Sequence, residues 1–138
     1  MKYHRRLASA LAIVLGTYAC TSMHPATSSS DVRLRIEPTA AAPGDSVALV
    51  LDNGSAEIVG YNLCTTTLDR RSGEAWEPVA SDRVCTMELR MLQPGQEARI
   101  TLALPADLAP GEYRAVTGVE RMDAGERTGV ATEPFQVR

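Results

Sequence analysis

The stretch Leu104-Pro105-Ala106-Asp107-Leu108-Ala109-Pro110-Gly111-Glu112-Tyr113-Arg114-Ala115-Val116-Thr117-Gly118-Val119 decides the fold. Before it, Ala98, Ile100, Leu102 and Leu104 alternate with other residues, the period of a strand with one buried face. Pro105 ends that strand. Pro110-Gly111 makes a tight turn, and Tyr113, Ala115, Thr117 and Val119 resume the alternation. This pattern predicts a corner between two sheets of a β-sandwich. Leu108, Pro110 and Gly111 shape the turn, and Tyr113 sends its ring into the core and its hydroxyl back to nearby backbone.

Other segments repeat the strand period. Val32, Leu34 and Ile36 alternate with Arg33, Arg35 and Glu37. Val47, Leu49 and Leu51 do so again after the Pro43-Gly44-Asp45 turn, and Ala48 and Val50 make that strand apolar on both faces, as in the middle of a sheet. Asp52-Asn53-Gly54-Ser55 reads as a turn that uses the Asn-Gly preference for positive φ. Ile58–Cys64 and Thr65–Arg71 read as a continuous strand, and Ser72-Gly73-Glu74 turns into Ala75–Ala80. Cys85, Met87, Leu89 and Met91 form the apolar face of a further strand. After Asp123-Ala124-Gly125-Glu126 a last strand covers Arg127–Arg138. Seven to eight short strands with no helical period predict an all-β antiparallel sandwich.

The N-terminus has the pattern of an export signal. Lys2, Arg5 and Arg6 precede an apolar run, Leu7–Gly16, that is too short to span a membrane. Residues 1–19 are expected to be removed. Thr17-Tyr18-Ala19-Cys20 resembles a bacterial lipobox, in which Cys20 becomes the lipidated first residue. Ordinary cleavage after Ala19 is the alternative, giving a secreted or periplasmic protein. Residues 20–30 are small and polar and read as a flexible tether, leaving 31–138 as one domain. Removing Lys2, Arg5 and Arg6 leaves 11 of the 14 basic residues, all Arg and scattered, against 17 acidic ones. An acidic domain without a basic stripe is a poor nucleic-acid partner.

Of the three Cys, assigning Cys20 to a lipid leaves Cys64 and Cys85 as an even pair. In an oxidising compartment they are placed to form a disulfide. Two separate buried thiols are the alternative.

Residues 31–138 contain no His, since His4 and His24 precede them. A Ser-His-Asp or Cys-His arrangement therefore has no base, and the domain reads as non-enzymatic, with no cofactor. Cys85, Met87 and Met91 are soft donors, but sharing a face with Leu89 makes them expected core residues, and no metal site is assigned. Trp76 either covers one edge of the core or offers a single ring to a carbohydrate. Arg70-Arg71-Ser72-Gly73 reads as a solvated hairpin tip, or as a loop that offers an Arg to a trypsin-like pocket.

The ordered series Tyr61-Asn62-Leu63-Cys64, Trp76, Cys85, Leu92-x-Pro94-Gly95, Leu104-Pro105, Leu108-x-Pro110-Gly111-x-Tyr113-Arg114 and Phe135-x-Val137 resembles a family of bacterial immunoglobulin-like domains found in small secreted proteins and lipoproteins. The resemblance covers nearly all of 31–138 and implies an immunoglobulin-like fold in an extracytoplasmic setting. It brings no catalytic residues. The expected function is a non-catalytic binding or interaction module of the cell envelope, held at the membrane by an N-terminal lipid, with an envelope protein or surface ligand as partner. A protease-inhibitor-like domain is the alternative, since a small bacterial inhibitor family shares the sandwich and the Pro-Gly turns.

Overall fold

The computed structural model describes residues 31–138; the expected signal, Cys20 and the tether lie outside the described residues. Alternation sets the first sheet. β1 (Val32–Glu37) buries Val32, Leu34 and Ile36 and exposes the residues between them. It pairs antiparallel with β3 (Ser46–Asn53), and β3 pairs with β8 (Glu97–Ala103), so β3 is the middle strand.

Strand β3 is covered on both faces, as its composition requires. Val47, Leu49 and Leu51 face the sandwich core. Val50 points the other way and is still fully buried. It stands in register between Arg35 on β1 and Arg99 on β8. Arg35 reaches across to Glu97, and Arg99 reaches back to Glu37 at 3.2 Å, so two ion pairs cross β3 on either side of Val50.

The second sheet is built on the long strand β9 (Gly111–Arg121). One side of β9 carries β11 (Phe135–Val137) and β10 (Glu126–Ala131). The other carries β5 (Thr67–Ser72) and β4 (Val59–Tyr61). β2 (Ala40–Ala41) adds to β11, β6 (Ala75–Pro78) to β5, and β7 (Arg90–Leu92) to β4. Tyr113 and Phe135 are its largest fully buried side chains, and they face Leu34, Leu49 and Leu102 of the first sheet within one core cluster. The architecture is an all-β sandwich.

Stretch 104–110 carries the chain from β8 to β9, hence from one sheet to the other. Leu104 and Leu108 are buried, and the Leu108 amide donates to the Pro105 carbonyl at 3.4 Å. The Tyr113 hydroxyl donates to the Ala109 carbonyl at 2.6 Å across the Pro110-Gly111 turn. The strand boundaries lie slightly earlier than the sequence predicts, at Ala103 and Gly111.

Four expectations are corrected. The apolar run from Ile58 does not continue into Thr65–Arg71, because Asn62 caps a 3-10 turn, Leu63–Thr65, between β4 and β5. The last strand is two strands: Pro134 has no N–H for the ladder, and Thr132 bridges the break by exchanging hydrogen bonds with Ala115, backbone to backbone at 2.9 Å and through its hydroxyl at 3.1 Å. Asn53 is not a turn residue with positive φ, a conformation no described non-glycine residue adopts. It ends β3 completely buried, donating through Nδ2 to the carbonyls of Glu57 and Leu92 and accepting through Oδ1 from the Ser55 amide and hydroxyl. Finally, Cys85 does not open a strand. Residues 79–89 run without a ladder, and only Arg90–Leu92 pairs.

Candidate functional site

The site grows from Asn62. Its Oδ1 accepts from the Cys64 amide at 3.1 Å and its carbonyl from the Thr65 amide at 3.1 Å, the local bonding by which Asn starts a helical turn. The turn carries Cys64 to the surface, where its sulfur is bonded to that of Cys85 with the Cα atoms 5.7 Å apart. The Nδ2 of Asn62 donates to the Thr86 carbonyl at 2.7 Å. Arg83 completes the attachment by donating to the carbonyls of Cys64 and Thr66 at 3.1 and 3.3 Å. A segment with no ladder of its own is thus fixed to the turn by one covalent and three polar links.

The attached loop holds apolar side chains in solvent. Val84 is 93% exposed and Met87 97%, and Leu89 and Met91 are about half exposed. This corrects the expectation that Met87, Leu89 and Met91 pack in the core. β4 stops at Tyr61, so the segment facing it has no partner along most of its length and cannot turn one face inward. It also removes the soft-metal option, since Cys85 is no thiolate. Among the described residues no three His, Cys, Asp or Glu side chains gather as a metal site.

Beyond Met87 the loop returns to the sheet through Leu89, which lies over Gly60. A Cβ on Gly60 would stand 3.1 Å from Leu89 Cδ1 and 3.1 Å from Met122 Sδ. A second glycine, Gly118, extends this bare floor. The result is an open groove of about 540 Å³, lined by Met87, Leu89, Glu120 and Arg127 as well as the two glycines. Neither the two Asn hubs nor this floor is apparent from composition. The one local signal is Asn62 directly before Leu63-Cys64, a capping residue ahead of a turn.

The remaining candidates are accounted for. Trp76 neither caps the core edge nor offers a free ring. It lies half-buried on the outer face of the second sheet, with the Arg114 guanidinium 4.7 Å and that of Arg71 5.6 Å from the ring centroid. Arg114 is itself held at 2.8 Å by Asp69. At the exposed Arg70-Arg71 tip, Arg70 donates to the Pro110 carbonyl at 3.2 Å, and Arg71 pairs with Glu112 at 3.0 Å.

A two-sheet β-sandwich with a corner Tyr is matched by the family model for the bacterial Ig-like domain over residues 28–133. The chain belongs to this bacterial Ig-like domain family. No curated protein matches the sequence. Among solved structures, the Ig-like domain is similar to the ApaA protein of Bordetella pertussis, at 15% identity over 76% of this chain and 87% of that one, with a TM-score of 0.48. It is similar to the sporulation control protein Spo0M of Bacillus subtilis, at 20% identity over 78% of this chain and 49% of that one, with a TM-score of 0.47. It also resembles part of the neutral ceramidase of Pseudomonas aeruginosa, at 14% identity over 79% of this chain but only 19% of the enzyme, with a TM-score of 0.41.

Proposed function

We propose that this Ig-like domain is a non-catalytic interaction module of the cell envelope, tethered through a lipid on Cys20, and that the 79–89 loop is its contact surface. The observation that carries the reading is Met87, 97% exposed on a loop fixed by the Cys64–Cys85 bond. A disulfide in so small a domain accords with an oxidising compartment, and a rigid scaffold that displays apolar side chains loses little freedom on binding. The expected partner is an envelope protein or surface ligand.

The test places a photo-crosslinking residue at Val84, and separately at Thr101 on the exposed side of β8, in the full chain expressed in cells. Crosslinks from position 84 and none from position 101 are expected. Equal yields from both positions would overturn the assignment of the surface. Mass spectrometry of the mature N-terminus tests the tether. A lipidated Cys20 is expected, and an unmodified Cys20 or a start beyond it refutes the anchor.

A further inference from the structure

We infer that the 79–89 loop is built to enter the substrate cleft of a serine endoprotease whose primary pocket is apolar, with Met87 as the side chain that fills it, and that it blocks the enzyme rather than being consumed. This names a partner class for the proposed interaction surface and rests on that reading.

Three observations converge. The loop runs without turn or ladder, and around Met87 the Thr86 carbonyl alone is taken, so the neighbouring backbone groups are open to an enzyme that binds peptide as an added extended strand. It is anchored on both sides of Met87. Before it stand the Cys85 sulfur and the Thr86 carbonyl, held by Asn62 at 2.7 Å. After it Leu89 lies on the Gly60 floor and Arg90 enters β7. Between those anchors Glu88 pairs with Arg90 at 3.4 Å, and Met87 points wholly into solvent. An uncharged, unbranched, polarisable side chain suits an apolar slot and not an acidic one. The Arg pair at the other hairpin is held to Glu112 and the Pro110 carbonyl, contacts that an Arg entering a trypsin-like pocket would have to give up.

The anchoring explains why blockage outlasts cleavage. If the protease serine attacks the Met87 carbonyl, the Met87–Glu88 amide breaks, an ester to the serine oxygen forms and the Glu88 nitrogen takes the proton. The new amine does not diffuse away. The Cys85 side is bonded to the sandwich through Cys64, and the Arg90 side continues into β7. The amine stays beside the ester, competes with water for it, and the same amide re-forms.

The experiment titrates subtilisin, chymotrypsin and trypsin with the full chain purified in detergent, and repeats the titration with Met87→Asp, Met87→Arg and Asn62→Ala. Inhibition of subtilisin or chymotrypsin but not trypsin is expected. Met87→Asp should weaken it by about 100-fold or more, the scale of losing a buried apolar side chain and placing a charge in the slot. Met87→Arg should transfer inhibition to trypsin while the unfolding midpoint stays put. Asn62→Ala should turn the loop from inhibitor towards substrate, seen as faster clipping between residues 87 and 88. Failure to inhibit any of the three enzymes, inhibition indifferent to Met87→Asp, or rapid complete cleavage of the wild type would each overturn the inference. Met87-dependent self-association or vesicle binding without inhibition would do so too, assigning the loop to a second copy or to a bilayer. Crosslinks from Val84 that persist without inhibition would leave the interaction reading standing and remove only the protease.

Discussion

Tyr113 and Phe135 stand in register on β9 and β11, with ring centroids 6.1 Å apart and planes inclined by 38°. They are the two large rings of a core otherwise made of aliphatic side chains. The hydroxyl of Tyr113 leaves that core to reach the Ala109 carbonyl, tying the sheet-to-sheet corner to the strand that follows it. Tyr113→Phe keeps the ring pair and removes only the hydrogen bond, and about 1 kcal/mol of unfolding free energy should be lost. Tyr113→Ala opens a cavity beside Phe135 and should cost roughly 3–5 kcal/mol. Urea unfolding of both variants checks the pair; equal stabilities for Phe and Ala would mean that the ring is not supporting the core.

The Asn53 side chain uses both ends, donating to two carbonyls and accepting from Ser55. Asn53→Ala should cost about 2–4 kcal/mol, since it strands these groups at a fully buried position. Asn53→Asp has nearly the same shape but sets a carboxylate oxygen against the carbonyls of Glu57 and Leu92. Burial then raises the carboxyl's folded pKa above its unfolded value. The neutral acid is tolerated at low pH, and stability falls as pH rises through the raised value. Chemical denaturation of Asn53→Asp across acidic to neutral pH should show that slope, and a flat profile would argue against the burial.

Trp76 is the one tryptophan of the chain, so its fluorescence reports on one place. Arg114 lies over its ring and binds Asp69, whose side chain is only 14% exposed. Arg114→Ala uncovers the ring and leaves Asp69 without this partner. The emission should move to longer wavelength, with a stability loss of about 1–2 kcal/mol. Arg114→Lys keeps the charge but not the planar stack, so it should recover part of the stability and little of the emission. Unchanged emission in Arg114→Ala would rule out the stacked arrangement.

Strands with a core-facing period of two were legible in the sequence. Val32–Glu37, Ser46–Asn53, Glu97–Ala103 and Gly111–Arg121 each carry a period of two that the core enforces. Residues 85–91 carry the same period without a ladder partner for most of their length. Alternation alone does not distinguish the cases, because it records composition and not pairing. The missing partner traces to one residue, Asn62, whose cap turns the chain away after β4. The burial of Val50 was legible only as an apolar position, since its cover comes from Arg35, Glu37, Glu97 and Arg99 on two other strands. Trp76 was ambiguous for a similar reason: the Arg114 that covers it arrives from β9.

The Cys64–Cys85 bond closes a loop with a sequence separation of 21. In the chain-entropy view, closing a loop of this length removes roughly 3 kcal/mol of unfolded-state freedom. Paired Cys64→Ser and Cys85→Ser substitutions should lower stability by about that amount while leaving the ladders of β3, β8 and β9 intact, because neither cysteine lies in a strand. Thiol titration of the unfolded, unreduced Cys20→Ser chain should find no reactive thiol, and two per chain would refute the bond.

Gly60 separates the stability of the fold from the order of the loop. Its missing side chain lets Leu89 and Met122 close over β4, and an added Cβ would meet the far ends of those two flexible chains, not backbone. Both can swing aside. Alanine in place of glycine within a strand also recovers about 0.5–1 kcal/mol of backbone entropy. Gly60→Ala should therefore change global stability by less than about 1 kcal/mol. Leu89, however, loses its seat, and with it the anchor on the β7 side of Met87. The Leu89 methyl groups should gain fast motion, read as a fall in their NMR order parameters, while the Thr86 carbonyl stays held by Asn62 beside the disulfide. A global loss well beyond that range would mean that the glycine floor supports the sandwich itself, and unchanged Leu89 methyl order parameters would mean that Gly60 does not seat Leu89.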